Sequence, residues 1–535
     1  MLVIGSDGAS PELIFGWAGR GVLPTFQKML EHGTRAKLRS TIPPHSGPAW
    51  VSAITGKNPC KHGVFYFTTV NPRRSPPRIV SSGDIRTETL FDILGASAKH
   101  SVVVNVPITY PPWRISGVLV SGMFAPSEKV VFTYPPDVGP RLVSEGYEVE
   151  FSTWETWSDI ASKRNRSREE VEEELTLRRR TYFERAIEID NKNAAALLSL
   201  LKGSEWDFGM VMLPGLDRIQ HLLWQPTGPK EEDREGAAFG CSKYIIDAYK
   251  NLDNLVAKIT DAVGRGTLTM VISDHGFGPA PRTFYINRWL AAEGFLTPAR
   301  TRGGRLGVLY ERGLLRAKSV ARRVRTGRPL RGPDMPAFHG LLPLASLDLP
   351  STKAYAPTPY GLVNVNAPLD LDRGRVTGTL VKKLESLVDP ATGSRVILKV
   401  HVSGELYPGP FSGEASDLLL EPNPDYYIDN RIGGKQIISD SSRHPASHKP
   451  DGILLLSGPE IREGYELESA HLFDIVPTVL RLLGVPFPGS LDGKPLDDAL
   501  SPGAGILNEE VVYRDTSTKE ETSNRIKRLK SQGKL

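Results

Sequence analysis

The chain is poor in cysteine, in long apolar runs and in net charge. Only Cys60 and Cys241 occur among 535 residues, which excludes a disulfide framework. No CxxC pair exists, so a thiolate zinc site is excluded too, and any metal must be held by His and carboxylate side chains. No run of about 18 apolar residues of the kind that crosses a membrane occurs. The opening residues, Met1-Leu2-Val3-Ile4-Gly5-Ser6-Asp7-Gly8, read as a core strand ending in a turn, with no basic region and apolar stretch before it. No signal peptide is therefore expected, and a cytoplasmic location is the default expectation. The net charge of +5 is small for this length and does not by itself imply a nucleic-acid partner.

What is present is the composition of a soluble globular protein, 39% hydrophobic and 24% charged, in line with ordinary folded domains. The length is too great for one simple core and predicts one large domain with insertions, or two to three domains. Short apolar runs end repeatedly in ionisable residues. Leu2-Val3-Ile4 leads to Asp7, Phe208 to Leu213 leads to Asp217, and Leu268 to Ile272 leads to Asp274 and His275. Gly452 to Leu456 reads as another buried strand. Continuous apolar strands suit a parallel sheet covered on both faces.

Helical stretches alternate with these strands. Ser167 to Glu170 has capping-box spacing and opens a long charged helix. Asp474 to Leu483 reads as a helix that stops before Gly484. The alternation predicts an α/β sandwich, in which ligands bind beyond the carboxyl ends of the strands. Asp7, Asp217, Asp274 and His275 fall there. Residues 299 to 345 are rich in Arg and Gly and break the pattern as an insertion would. A second αβ stretch follows at 351 to 430, with Gly361 to Asn366 and the helical run Thr377 to Val388. The last 20 residues or so form a polar tail.

Each chemical candidate has a bland alternative. Asp7-Gly8 is either a turn or a metal-ligand position. Asp217 and His221 stand at i and i+4, so on a helix they share a face, as two ligands would or as a solvated pair does. Asp274-His275 after a buried strand requires a partner or a metal, because buried charge is costly. Ser46, in Thr41-Ile42-Pro43-Pro44-His45-Ser46-Gly47-Pro48-Ala49-Trp50, precedes a helix-like run from Ala49 to Ile54. It is either a helix N-cap or a nucleophile whose helix N-terminus helps hold phosphate oxygens. His448, alone, is a loop histidine. Together these residues supply the six or so carboxylate and imidazole ligands, and the nucleophile, that two-metal phosphoryl chemistry needs.

The order and spacing resemble the type I phosphodiesterase and nucleotide pyrophosphatase branch of the alkaline phosphatase superfamily. The matching pieces are Asp7-Gly8, Pro44 to Trp50, Thr55-Gly56-Lys57-Asn58-Pro59 with His62-Gly63, Asp217 to His221, Ser273-Asp274-His275-Gly276, and His448 before Asp451-Gly452. Phe473 to Thr478 and Leu483 to Pro486 resemble the family's closing helix and turn. The resemblance covers residues 1 to 65, 200 to 290 and 435 to 500. It implies an alkaline phosphatase-like three-layer α/β sandwich with a mostly parallel central sheet. The implied layout is a core in two parts, 1–290 and 431–500, an inserted αβ cap at 291–430 that shapes substrate access, and a polar tail at 501–535. It also implies two divalent metal ions, zinc or else manganese. Asp217, His221 and His448 would hold one. Asp7, Asp274 and His275 would hold the other, with Ser46 bridging toward it. Ser46 would attack phosphorus and form a covalent phosphoserine intermediate.

Three departures matter. Ser46 replaces the threonine common in the family. Ala49 stands where nucleotide pyrophosphatases carry an asparagine, which puts a nucleotide substrate in doubt. His444 competes with His448 as a ligand, and spacing to the next strand favours His448. The expected activity is hydrolysis of phosphodiesters, with phosphomonoester hydrolysis or a phosphomutase as the alternative. Lys57, Lys61 and Arg218 are the cations that could surround a dianion. A sulfatase would need Arg in place of Trp50, and a non-catalytic anion-binding protein would not need a complete ligand set. The expected substrate is a small-molecule or lipid-headgroup phosphate ester. Residues 299 to 332 carry eleven Arg or Lys and one acid, Glu311, a net of +10 against +5 for the whole chain. Leu306, Tyr310, Leu314, Ala317, Val320 and Val324 recur there at helical spacing. That pattern reads as a basic helix packed on the core, or as a peripheral contact with anionic membrane lipid.

Overall fold

In the computed structural model the described residues are 1–71, 78–149, 168–224, 242–264, 266–299, 341–366, 370–441 and 445–514. The basic 299–332 segment falls outside them from residue 300 on. His444 and Ser167, the residue expected to cap the long charged helix, also lie outside. That helix runs Arg168–Lys202. The chain forms two compact units. One comprises Met1–Asn58, Ser81–Gly278 and Ala446–Leu535, and the other Pro59–Val80 and Pro279–Pro445.

The first unit is built on a ten-stranded sheet. Its strands follow one another across the sheet as Tyr465–Glu466, Gly33–Arg39, Asp451–Ser457, Thr269–Ile272, Leu2–Ser6, Phe208–Leu213, Ser101–Val106, Gly117–Ser121 and Thr133–Tyr134, with Ala470–His471 also paired to Gly33–Arg39. Side-chain alternation explains why the central runs are apolar throughout. Leu2 and Ile4 enter one core with Trp17, Tyr249 and Leu197. Gly5 points the other way, where a Cβ would lie 2.3 Å from the Trp50 ring. Both faces of the sheet are therefore covered by helices, and a strand so placed has no polar side. Glycine at position 5 lets the Trp50 ring approach the backbone.

The sheet is mostly parallel, as expected, but two strands run the other way. Thr133–Tyr134 is antiparallel to Gly117–Ser121 at the edge. Asp451–Ser457 is antiparallel to Thr269–Ile272 and to Gly33–Arg39. Leu454, Leu455 and Leu456 are buried all the same. An apolar run reports burial on both faces and carries no information about direction.

The second unit holds a four-stranded antiparallel sheet in the order Ala354–Tyr355, Leu362–Val365, Leu418–Pro422, Ile397–Val402. Helix Asp370–Glu385 buries Leu380 and Leu384 in its core, together with Phe284, Trp289 and Val396. This helix begins and ends earlier than the run Thr377 to Val388 read from the sequence. The closing helix of the first unit is Ile475–Leu482, ending before Gly484, which has φ +63.

Candidate active site

Strand direction gathers the candidate residues. The parallel strands Leu2–Ser6, Phe208–Leu213 and Thr269–Ile272 end at one edge of the sheet. Asp7 follows the first, and its N–H donates to Leu213 O at 3.0 Å. The second strand passes through Pro214 into helix Gly215–Leu223, which carries Asp217 and His221. Asp274 and His275 follow the third. Because Asp451–Ser457 runs the opposite way, its start lies at this same edge, and His448 precedes it. The strand opening at Gly276 pairs with Ala446–Lys449. His448 thereby stacks on His275, with ring centroids 3.7 Å apart.

Ser46 arrives from the end of Gly33–Arg39. It is the first residue of helix Ser46–Thr55, and the cap is His45, whose Nδ1 accepts the Gly47 N–H. The serine hydroxyl is thus released from capping. It donates to Asp7 Oδ1 at 3.1 Å and lies 3.2 Å from His275 Nε2. The helix end offers a phosphate less than the sequence suggested. The Gly47 N–H is taken by the His45 ring, the Ala49 N–H by His45 O, and Pro48 has none.

The imidazoles are oriented from behind. His448 Nδ1 lies 2.9 Å from Pro44 O, and His275 Nδ1 lies 3.0 Å from Gly276 O. A carbonyl only accepts, so each Nδ1 carries the proton and each Nε2 presents a lone pair, the form in which histidine binds metal. Burial, with His448 adding to it, keeps the His275 ring well below the usual histidine range. Burial likewise lowers His448, with Asp217 acting against it. His448 Nε2 and His221 Nε2 lie 2.9 Å apart, each 3.3 Å from Asp217 Oδ1. This trio closes within 4.8 Å, and so does a second made of Asp7, Asp217 and His275. The second trio contains Asp217 rather than Asp274, but Asp274 Oδ2 is 3.3 Å from His275 Nε2.

The electrostatics show a surplus of acceptors. Burial, then the charges of Asp274 and Asp217, push Asp7 well above the ordinary carboxylate range. Burial and Asp217 raise Asp274 to about 8. Burial would raise Asp217 as well, but His221 and His448 hold it well below. Asp217 Oδ1 and Asp274 Oδ2 are buried without a hydrogen-bond partner among the described residues. Orphaned carboxylate oxygens facing imidazole lone pairs suit divalent cations, and the donor set of oxygens and nitrogens fits zinc or manganese.

All seven candidates, Asp7, Ser46, Asp217, His221, Asp274, His275 and His448, therefore meet within one unit. The proposed cations around a dianion are less uniform. Lys57 is buried and donates to Thr87 Oγ1 at 2.5 Å. Arg218 is buried close enough to Asp7 to feel its charge, with burial bringing its guanidinium down to about 10. Lys61 belongs to the other unit. Sequence reasoning missed Trp50, whose Nε1 donates to Asp7 Oδ2 at 3.2 Å. Its i+4 spacing from Ser46 was the available signal. It also missed Asp190, which accepts the Gly215 N–H at 2.9 Å and so holds the start of the Asp217 helix. No local pattern marks that residue.

A search by sequence among curated proteins gives no match. Among solved structures, human ectonucleotide pyrophosphatase/phosphodiesterase 5 is similar with a TM-score of 0.51 at 11% identity, over 94% of this chain and 100% of that one. The murine counterpart, inactivated and in complex with AMP, gives 0.51 at 12%, over 94% and 99%. A variant of the alkaline phosphatase PafA gives 0.51 at 15%, again over 94% and 99%. At such identities the likeness concerns the fold, which is alkaline phosphatase-like. The sequence model of the type I phosphodiesterase/nucleotide pyrophosphatase family matches residues 1–451, and the chain belongs to that family of phosphoric ester hydrolases.

Proposed function

We propose that this protein hydrolyses phosphodiesters with two divalent cations and a covalent intermediate on Ser46. The observation that carries the reading is the convergence of unsatisfied acceptors beside a released hydroxyl. Asp217, His221 and His448 would hold one cation, and Asp7, Asp274 and His275 the other. Cations bound there would neutralise phosphate oxygens and favour the ionised form of the serine hydroxyl.

The chain's own residues account for the rest. Asp7 and His275 hold the Ser46 hydroxyl on both sides, at 3.1 and 3.2 Å. The hydroxyl proton is lost to water as Oγ bonds to phosphorus. The bond from phosphorus to the leaving oxygen breaks on the opposite side, and the leaving alkoxide takes a proton from water and departs as the alcohol. Water then cleaves the phosphoserine and restores Ser46. Trp50 keeps Asp7 turned toward the serine.

The test is a panel of aryl phosphodiesters and matching monoesters, assayed with zinc and with manganese after chelation. The diester is expected to turn over faster, and chelated protein is expected to be inactive until metal returns. A strong monoester preference would replace the diesterase reading with a phosphatase or phosphomutase. Full activity without metal would end the two-cation reading.

A further inference from the structure

Behind the carboxylates lies a buried polar chain to which the proposed reaction assigns no part. Gly8 sits in the left-handed region at φ +70, where glycine is favoured. Its N–H donates to Asp274 Oδ1 at 3.2 Å, and its carbonyl accepts from Gln220 Nε2 at 2.8 Å. The Gln220 amide oxygen accepts from the Tyr249 hydroxyl at 3.0 Å. The Tyr249 oxygen in turn accepts the Ser10 N–H at 2.9 Å. Gln220 and Tyr249 are both fully buried. Both polar atoms of Gln220 and the Tyr249 hydroxyl have partners, which favours a rigid buried network over a costly one.

The chain joins groups that the sequence keeps far apart. Gln220 lies three residues after Asp217 and one before His221, on the helix that presents both. Through Gly8 it reaches the loop that carries Asp7 and the oxygen of Asp274 opposite the orphaned one. The Gly8 Cα is itself pressed on Asp217, for a Cβ there would lie 3.2 Å from Asp217 Oδ1. One residue, Gly8, therefore touches members of both donor sets, and Gln220 holds its carbonyl. A core filler at position 220 would need no amide, because Ile219 and Leu216 already supply the apolar face of that helix.

We infer that Gln220, oriented by Tyr249, is a positioning residue that fixes the spacing between the Asp217–His221–His448 set and the Asp7–Asp274–His275 set. The inference rests on the two-cation reading above. It concerns the affinity for the cations, with turnover following from it. Outer partners of metal ligands commonly control affinity by about 10–100-fold.

The experiment titrates zinc, and separately manganese, into chelated full-length protein by calorimetry, with thermal unfolding measured alongside. The variants are Gln220→Met, Gln220→Glu, Tyr249→Phe and the double variant Gln220→Met/Tyr249→Phe. Leu255→Ala, on the Tyr249 helix, serves as a control for stability loss alone. Wild type is expected to bind two ions. Gln220→Met is expected to weaken binding at least about tenfold. Gln220→Glu should be no better, because a carboxylate cannot donate to the Gly8 carbonyl. The double variant should match Gln220→Met, since Tyr249 acts through Gln220. Unchanged affinity in Gln220→Met and Tyr249→Phe would overturn the inference while leaving the two-cation reading intact. An equal loss in Leu255→Ala would reduce the chain to ordinary stability and overturn it too. No ion binding by wild type would remove both readings.

Discussion

Two buried aspartates, one in each unit, are treated in opposite ways. In the second unit Asp389 accepts from Arg282, from the Tyr426 hydroxyl at 3.0 Å and from the Ala391 N–H at 2.9 Å. Burial works against it, but these partners hold its carboxyl below the ordinary range. In the first unit Asp274 accepts the Gly8 N–H on one oxygen, while the other is orphaned. Burial and the neighbouring Asp217 bring it to about 8. Both side chains are out of solvent. A buried carboxylate with its own cation and donors is part of the scaffold. One surrounded by further acids and by imidazole nitrogens lacks a compensating positive charge from the chain itself.

The comparison yields tests of decreasing size. The largest effect is expected from Ser46→Ala, which should lower turnover by roughly three orders of magnitude or more, since a covalent step is lost. Its melting temperature should stay at the wild-type value. A variant retaining more than about a tenth of the wild-type rate would remove Ser46 from the reaction.

The two aspartates themselves come next. Asp389→Asn should cost about 1–3 kcal/mol of stability, because Arg282, the Tyr426 hydroxyl and the Ala391 N–H lose their charged acceptor. Asp274→Asn should abolish hydrolysis and weaken cation binding, yet leave metal-free protein at least as stable as wild type. Chemical denaturation of the chelated variants separates the two cases. A stability loss for Asp274→Asn equal to that for Asp389→Asn would erase the distinction.

A third carboxylate lies between these extremes. Asp190 accepts one backbone N–H, from Gly215, and burial raises it to about 7. A folded-state value above the unfolded one of about 3.9 means that stability is fully present below the unfolded value. It is lost as pH rises toward about 7. Asp190→Asn should therefore match wild type near pH 4 and exceed it by a few degrees in melting temperature above pH 7. A pH-independent difference between the two would show that the acid is ionised throughout, held by the helix N-terminus it caps.

The smallest effect on turnover is expected from Trp50→Phe. It removes the N–H to Asp7 together with the outer indole atoms that lie against Gly5. A several-fold loss in turnover is expected from steady-state rates, and thermal melts should show a stability loss of about 1 kcal/mol or more from the space left beside Gly5. An unchanged rate would make Trp50 a packing residue alone.

Much of this site was legible in the residues. The helix Gly215–Leu223 is local, so i and i+4 spacing sufficed to place Asp217 and His221 on one face. Apolar runs followed by acids marked the strand ends, because a strand buried on both faces cannot accept polar residues until it leaves the sheet. The Asn-to-Ala departure at position 49 and the serine at 46 were likewise readable without a structure.

Other features depend on contacts between distant parts of the chain. The sequence left Ser46 open between a cap and a nucleophile. The fold assigns the cap to His45 and turns the serine toward Asp7, 39 positions away. The direction of Asp451–Ser457 was unreadable, since Leu454 to Leu456 would look the same in either direction. That direction decides whether His448 reaches the site at all. The Gly8–Gln220 link spans 212 positions, and no periodicity carries information over that range. Local patterns determined which residues could act, because helix and strand periods are short. Which of them share a site was decided by strand pairing and by buried hydrogen bonds, which exist only once the sheet has formed.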